Sequence, residues 1–192
     1  MATIAGRFFW NLRNFRSTIL SERRAEKKNK AALARYLASQ SEPKLDLGAS
    51  EPRAGFLTAD LHLTADLTFD FTRKFPLPDQ TFEFVYCSHV LEHFFYDQLV
   101  FLLKEVARIL KPGGEFSICV PNARPFIEAY CSNDEFDTDS WCTYKPAFNY
   151  HSKLDIINYM AYMGGVHRMM FDEQNLKAIL ESQGFKRVEL RA

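Results

Sequence analysis

The stretch that decides the fold runs from Thr81 to Asn122, T-F-E-F-V-Y-C-S-H-V-L-E-H-F-F-Y-D-Q-L-V-F-L-L-K-E-V-A-R-I-L-K-P-G-G-E-F-S-I-C-V-P-N. It opens with Thr81–Ser88, whose β-branched and aromatic residues make a buried strand. Asp97–Leu110 then places Leu99, Leu102, Leu103, Val106 and Leu110 on one helical stripe, with Lys104, Glu105 and Arg108 off it. Lys111-Pro112-Gly113-Gly114 ends the helix, and Glu115–Val120 is a second apolar strand stopped by Pro121. Strand, helix and strand at this spacing make a βαβ unit, and hence a parallel sheet covered on both faces.

Upstream, short apolar runs alternate with turn residues. Lys44–Leu47 predicts a strand stopping at Gly48, Phe56–Asp60 a second after Gly55, and Ala65–Phe71 a third. Pro76-Leu77-Pro78-Asp79 predicts a turn, because proline fixes its own φ and restricts the residue before it. Only seven residues separate Gly48 from Phe56. A parallel crossover normally takes a dozen or more, so the first crossover helix is expected to be truncated or absent.

Downstream, residues 122–165 lose this rhythm and collect aromatics, among them Phe126, Tyr130, Phe136, Trp141, Tyr144, Phe148, Tyr150, Tyr159 and Tyr162. An acidic patch lies at Asp134, Glu135, Asp137 and Asp139. A segment of this length in a compact domain is a lid or a binding insertion. Its aromatics read either as a packed lid or as a cofactor box, and a cap over the carboxyl edge of the sheet is where acceptor specificity would lie. Asp172 then caps a last helix with Leu176, Ile179 and Leu180 inward, Gly184 ends it, and Phe185–Leu190 is expected as a final strand. The fold class is therefore α/β: a Rossmann-like, doubly wound, mostly parallel sheet. Residues 1–43 form an N-terminal helical segment, 44–192 the domain, and 122–170 a cap insertion before the last helix.

The chain has 192 residues, 47% hydrophobic, which suffices for one good core. No run of about 18 apolar residues and no signal-like leader is present, so a cytoplasmic location is expected. Cys87, Cys119, Cys131 and Cys142 lack C-x-x-C spacing and read as free thiols. Zero net charge gives no reason to expect nucleic acid as a partner. It hides an asymmetry, since residues 1–44 carry ten Lys/Arg against three Glu, a net +7, and the remainder −7. Within residues 1–40, Phe8, Phe9, Leu12 and Phe15 recur at helical spacing among Arg7, Arg13 and Arg16. Two readings stand: a solvated helix packed on the domain, or a basic amphipathic segment, residues 1–20, resting on an anionic membrane surface or a partner.

The chemistry-bearing residues gather at the ends of the predicted strands. In open parallel sheets ligands bind beyond the carboxyl ends, where a glycine such as Gly48 lets backbone approach. Asp60 ends the second run, where a carboxylate can accept from a ribose diol, and Asp70 ends the third. Each Asp also reads as an ordinary turn residue.

The order L-D-L-G, G-F-L-T-A-D, D-F-x-x-x-F-P-L-P-D, T-F-E-F-V, S-H-V-L-E-H and L-K-P-G-G across residues 44–122 resembles the class I methyltransferases, and most closely a small bacterial branch of them. A weaker echo lies in Gly164–Phe185. The resemblance implies S-adenosylmethionine as cofactor. Asp46, Gly48, Ala49 and Ser50 would wrap its methionine part, Asp60 would take the ribose hydroxyls, and Asp70 with Phe71 would read the adenine. Cys87, Ser88 and His89 would line the place where the methyl group is handed over. The sulfonium is already activated, so the enzyme mainly positions it in line and supplies a base if the acceptor is protonated. The usual G-x-G-x-G is reduced here to Gly48-Ala49-Ser50, and the chain stops where the family adds a last antiparallel strand, as in a trimmed or shortened chain. The branch occurs among glycan-assembly functions, which implies a sugar or lipid-linked glycan hydroxyl as acceptor, with another small molecule the nearest variant. A non-catalytic binding module on the same fold is the alternative.

His89-Val90-Leu91-Glu92-His93 also fits H-x-x-E-H, a zinc signature that needs both histidines within one helix. Here His89 ends a strand, so no metal is expected, and Glu92 and His93 read as a helix N-terminus. His89 is the candidate base, since imidazole titrates near neutrality. His167, beside Arg168, is a second catalytic candidate, against a structural hydrogen bond.

Overall fold

The computed structural model describes residues 19–49, 51–132 and 135–191. The chain divides into two compact units, Met1–Val90 with Val100–Cys119, and Leu91–Leu99 with Val120–Ala192.

The first unit is built on the sheet. Its strands are β1 (Lys44–Leu47), β2 (Leu57–Asp60), β3 (Leu67–Thr68), β4 (Phe82–Ser88) and β5 (Leu110–Cys119). They lie in the order β3-β2-β1-β4-β5, and every neighbouring pair is parallel. The order reverses between β1 and β4, the doubly wound pattern expected. Leu45, Leu47, Leu57, Ala59, Leu67, Phe82 and Val85 are buried along the strands. In β1 and β2 the burial is nearly continuous, as a sheet covered on both faces requires.

Helix α1 (Ile19–Ser39) precedes the sheet and packs against the edge strand β3. The contact is polar. Asn29 Nδ2 donates to Thr68 O at 2.9 Å, and Thr68 N donates to Asn29 Oδ1 at 2.9 Å, both buried. The carboxamide thus takes the place of one more strand residue and closes the edge. Lys28 Nζ donates to Leu63 O and Ala65 O, and Tyr36 hydroxyl accepts from Lys44 N at the start of β1. The apolar face of residues 8–15 lies outside the described residues, so both readings of it stay open.

No helix is described between β1 and β2, and the described residues of this parallel crossover are turn, bend and irregular backbone. Between β4 and β5 the crossover is α2 (Tyr96–Ile109), with Leu99, Leu102, Leu103, Val106 and Ile109 fully buried. The pairing of β5 with β4 skips from Leu110 to Glu115, so Lys111–Gly114 bulges out of the ladder. Glu105 Oε2 on α2 accepts from Phe75 N at 2.7 Å and from Arg108 at 2.6 Å, tying the helix to the loop before β4.

The second unit carries the insertion. Helices α3 (Arg124–Cys131), α4 (Thr138–Trp141) and α5 (Leu154–Tyr162) surround a small core of Ala123, Phe126, Cys142, Ile156, Tyr159 and Met160. Phe136, Tyr144 and Phe148 pack against it, which gives much of the aromatic set a packing role. Asp137 caps α4 by accepting from Asp139 N and Ser140 N, and Asp139 pairs with Lys145, so two of the acidic residues are local structure. Asp134 lies outside the described residues. Helix α6 (Glu173–Ser182) begins on Asp172, which accepts from Asn175 N, as expected.

Two sequence expectations are corrected. Ala65–Phe71 shortens to the two residues of β3, because Asp66 turns its carboxylate to Thr58 N and Oγ1 and Asp70 starts a turn. Phe185–Leu190 forms no strand. Arg187 takes a φ of 55°, which breaks an extended run, and its neighbours Lys186, Glu189 and Leu190 are exposed.

Candidate cofactor and active site

The sheet register lines up the expected cofactor residues. Leu47 stands beside Ala59 on β2 and Cys87 on β4, so Gly48, Asp60 and Ser88 follow together at the carboxyl edge, where β1 and β4 part. Gly48 N donates to Ala59 O at 2.8 Å. Its φ of 89° and its closeness to Val90 Cγ2 leave no room for a side chain, so the chain turns away from β1 here only with glycine. Ala49 is half-buried, and Ser50 lies outside the described residues.

Asp60 is buried, and its Oδ1 accepts from His62 N at 2.7 Å. Burial pushes its carboxyl above the ordinary aspartate range, against the hydrogen bonds from His62 N and Leu61 N that pull it down. Asp46 is also buried and also shifted upward by burial, but it has a cation, Arg53 Nη1, at 2.8 Å from Oδ2. The Arg53 guanidinium lies 4.2 Å from the Phe56 ring centre and 4.5 Å from that of Tyr86. Arg53 is the residue here that sequence reasoning missed. Its signal was faint: one arginine in the helix-free crossover, three residues before an aromatic.

Asp70 Oδ1 accepts from Thr72 N and Thr72 Oγ1, the turn role considered from the sequence. Phe71 is buried in a cluster with Phe69 and Phe75, their ring centres 5.1–5.8 Å apart. Its ring belongs to the core. Cys87 is fully buried within β4, Ser88 is half-buried, and His89 is exposed. His89 takes a φ of 55° while its N donates to Cys119 O at 2.9 Å. A non-glycine residue in the left-handed region at a strand end is a costly arrangement that functional sites often hold.

Residues 31–118, from within α1 to the end of β5, match the family model described as Methyltransferase domain. This segment is a class I methyltransferase domain. The protein is a methyltransferase dependent on S-adenosylmethionine, as its fold and the match together indicate. Three solved structures of such enzymes are similar to the methyltransferase. One is a SAM-dependent methyltransferase from Archaeoglobus fulgidus, 20% identical, with 85% of this chain and 71% of that one covered and a TM-score of 0.49. A second, from Thermotoga maritima, is described as a possible histamine N-methyltransferase; it is 16% identical over 97% of this chain and 82% of its own, with a TM-score of 0.48. The third is phosphoethanolamine N-methyltransferase 2 of Haemonchus contortus, 16% identical over 85% of this chain and 37% of its own, with a TM-score of 0.44. No curated protein matches the sequence.

In the second unit of the methyltransferase, His167 is buried, and its Nδ1 lies 2.9 Å from Met160 O. Its ring stands edge-on to His93, centres 5.3 Å apart. Glu92, His93 and His167 are the group of possible metal-ligating side chains found among the described residues, and His89 is not in it. The sequence separated these residues by reading Glu92 and His93 as a helix start and His167 as a second base. None of the four cysteines forms a disulfide, in keeping with the sequence reading. Burial raises the Cys142 thiol to about 11, so it stays protonated. No described helix is long and apolar enough to cross a membrane.

Proposed function

We propose that the methyltransferase binds S-adenosylmethionine at the carboxyl edge between β1 and β4 and methylates a small-molecule hydroxyl, a sugar or lipid-linked glycan hydroxyl being the preferred class. The observation that carries this reading is the row of Gly48, Asp60 and Ser88 at the point where the strand order reverses. The donor set fits the cofactor: Asp60 offers carboxylate oxygens to a ribose diol, and the backbone at Gly48 and Ala49 can approach the methionine part. When bound, the cofactor supplies an activated methyl group on a sulfonium. The chain's own contribution is to orient and to hold a proton. His89, exposed at the end of β4, is the base for an acceptor hydroxyl. Asp46, engaged by Arg53, supports the loop after β1, and Asp70 shapes the turn after β3.

The preference for a glycan rests on the resemblance to a branch found among glycan-assembly functions. The net +7 of residues 1–44 suits an anionic membrane surface on which a lipid-linked acceptor is presented.

Calorimetry with S-adenosylmethionine and S-adenosylhomocysteine on wild type and Asp60→Ala tests the cofactor site. Binding to wild type that falls at least tenfold in the variant is expected. No binding at millimolar cofactor would sink the reading, and binding unaffected by the substitution would remove Asp60 from it. Co-sedimentation with anionic liposomes, with and without residues 1–20, tests the membrane contact, and unchanged partitioning rules it out.

A further inference from the structure

We propose that Glu92, His93 and His167 form a site for one divalent transition-metal ion, of the zinc type, within the second unit. One donor atom from each residue lies within 4.8 Å of the others, and all three are strongly shielded from solvent. Glu92 Oε1 is 4.0 Å from His93 Nε2.

The backbone builds this convergence. Leu91–His93 is a single 3-10 turn, and Glu92 O accepts from Arg168 N at 2.7 Å and from Met169 N at 3.3 Å. Those two bonds bring the segment after Val166 against the turn, although more than 70 residues separate them in sequence.

Both imidazoles are then tied at Nδ1 to a backbone carbonyl. His93 Nδ1 lies 3.0 Å from Val166 O, and His167 Nδ1 lies 2.9 Å from Met160 O. A carbonyl oxygen only accepts, so each Nδ1 carries the proton and donates it. In a neutral ring this leaves the lone pair on Nε2. Metal-bound histidines show this arrangement, with the second ring nitrogen donating to a carbonyl or carboxylate that fixes tautomer and tilt. Here the orienting bonds are present in both rings at once.

Two imidazoles and a carboxylate select zinc or another first-row ion over magnesium or calcium, which take oxygen ligands. Ligands about 2.1 Å from an ion stand roughly 3.4 Å apart, so binding draws the set together by about an ångström, within the reach of a glutamate side chain. Three protein ligands leave a position open to water or to an oxygen of a bound molecule.

The test uses the full chain stripped with chelator and titrated with Zn2+ by calorimetry and with Co2+ by visible absorption. One ion per chain is expected, with the intense ligand-field bands of a four- or five-coordinate nitrogen and oxygen site. Glu92→Gln and His167→Ala should each weaken Zn2+ at least 100-fold, beyond the loss typical of an outer-shell partner. His151→Ala, on an exposed loop, should leave binding unchanged. Circular dichroism shows whether the variants fold, and the wild-type Co2+ spectrum stands without them. Substoichiometric Zn2+, a weak six-coordinate Co2+ spectrum, or folded variants that bind as wild type would overturn the site and leave a hydrogen-bonded histidine pair. None of these readouts involves methyl transfer, so the result is separate from the cofactor reading.

Discussion

Gly48 and Val90 stand against each other at the end of β1, the glycine at φ 89° with its missing side chain pointing at Val90 Cγ2. Both conformation and space therefore demand glycine. Gly48→Ala is expected to cost about 2–4 kcal/mol, from left-handed strain and from overpacking. Urea unfolding measures it. Adding Val90→Ala should recover the overpacking share and leave the strain, giving a coupling the double-mutant cycle reads.

Asp60 gives a stability effect of opposite sign to its functional one. Its folded carboxyl is raised by burial, so the stability it contributes is full at low pH and is lost as pH rises through the raised value. Asp60→Asn keeps an acceptor for His62 N and removes the buried charge. The variant should melt above wild type at pH 7, the gap closing as pH falls below the ordinary aspartate range, about 3.9. Its S-adenosylmethionine affinity should drop. A variant less stable than wild type at pH 7 would contradict the burial argument.

Glu105 titrates the other way. Burial alone would raise its carboxyl, but hydrogen bonds from Arg108 and Phe75 N, with the charges of Arg108 and Lys74, bring it below the ordinary range. That stability is present above the unfolded value and is lost as pH falls through the depressed one. Glu105→Ala also leaves Arg108 with only Asp79 and the carbonyls of Phe75 and Leu77. A loss of about 2–3 kcal/mol at pH 7 is expected, with a flatter acid limb in denaturant titrations from pH 7 to 3.

The edge closure by Asn29 is equally open to test. Asn29→Ala leaves Thr68 N and O buried without the carboxamide, for an expected cost of about 2–3 kcal/mol. Asn29→Asp can still accept from Thr68 N but turns a second oxygen on Thr68 O, and should do no better. Hydrogen exchange at the Thr68 amide should accelerate in both; unchanged protection would mean the edge is covered by something else.

Much of the first unit was legible because its signals are local. The β4–α2–β5 passage shows its stripe, its Pro-Gly-Gly stop and its flanking apolar runs within forty residues, and the structure follows it closely. That no helix is described between β1 and β2 was legible from simple length. The final strand misled because Phe185–Leu190 has strand-like composition, while composition cannot show that Arg187 turns left-handed. Asn29 was invisible: a single amide in a charged helix gives no sign of an edge strand 39 residues away. The grouping of Glu92, His93 and His167 was half visible. The motif held two members, but it suggested His89 for the third, and only the fold substitutes His167.

The polar seam between α1 and β3 has a consequence for how the chain is made. The helix leaves the ribosome before any strand of the sheet, yet its anchor, Thr68, is synthesised 39 residues after Asn29. Until then Asn29 and Lys28 have no edge to grip, and the helix must wait as a solvated arm. The last parts of the sheet to be paired, β4 and β5, are later still. Assembly of this unit is therefore bound to near-complete synthesis of the sheet, a vectorial delay that helix-first folds with local contacts do not face.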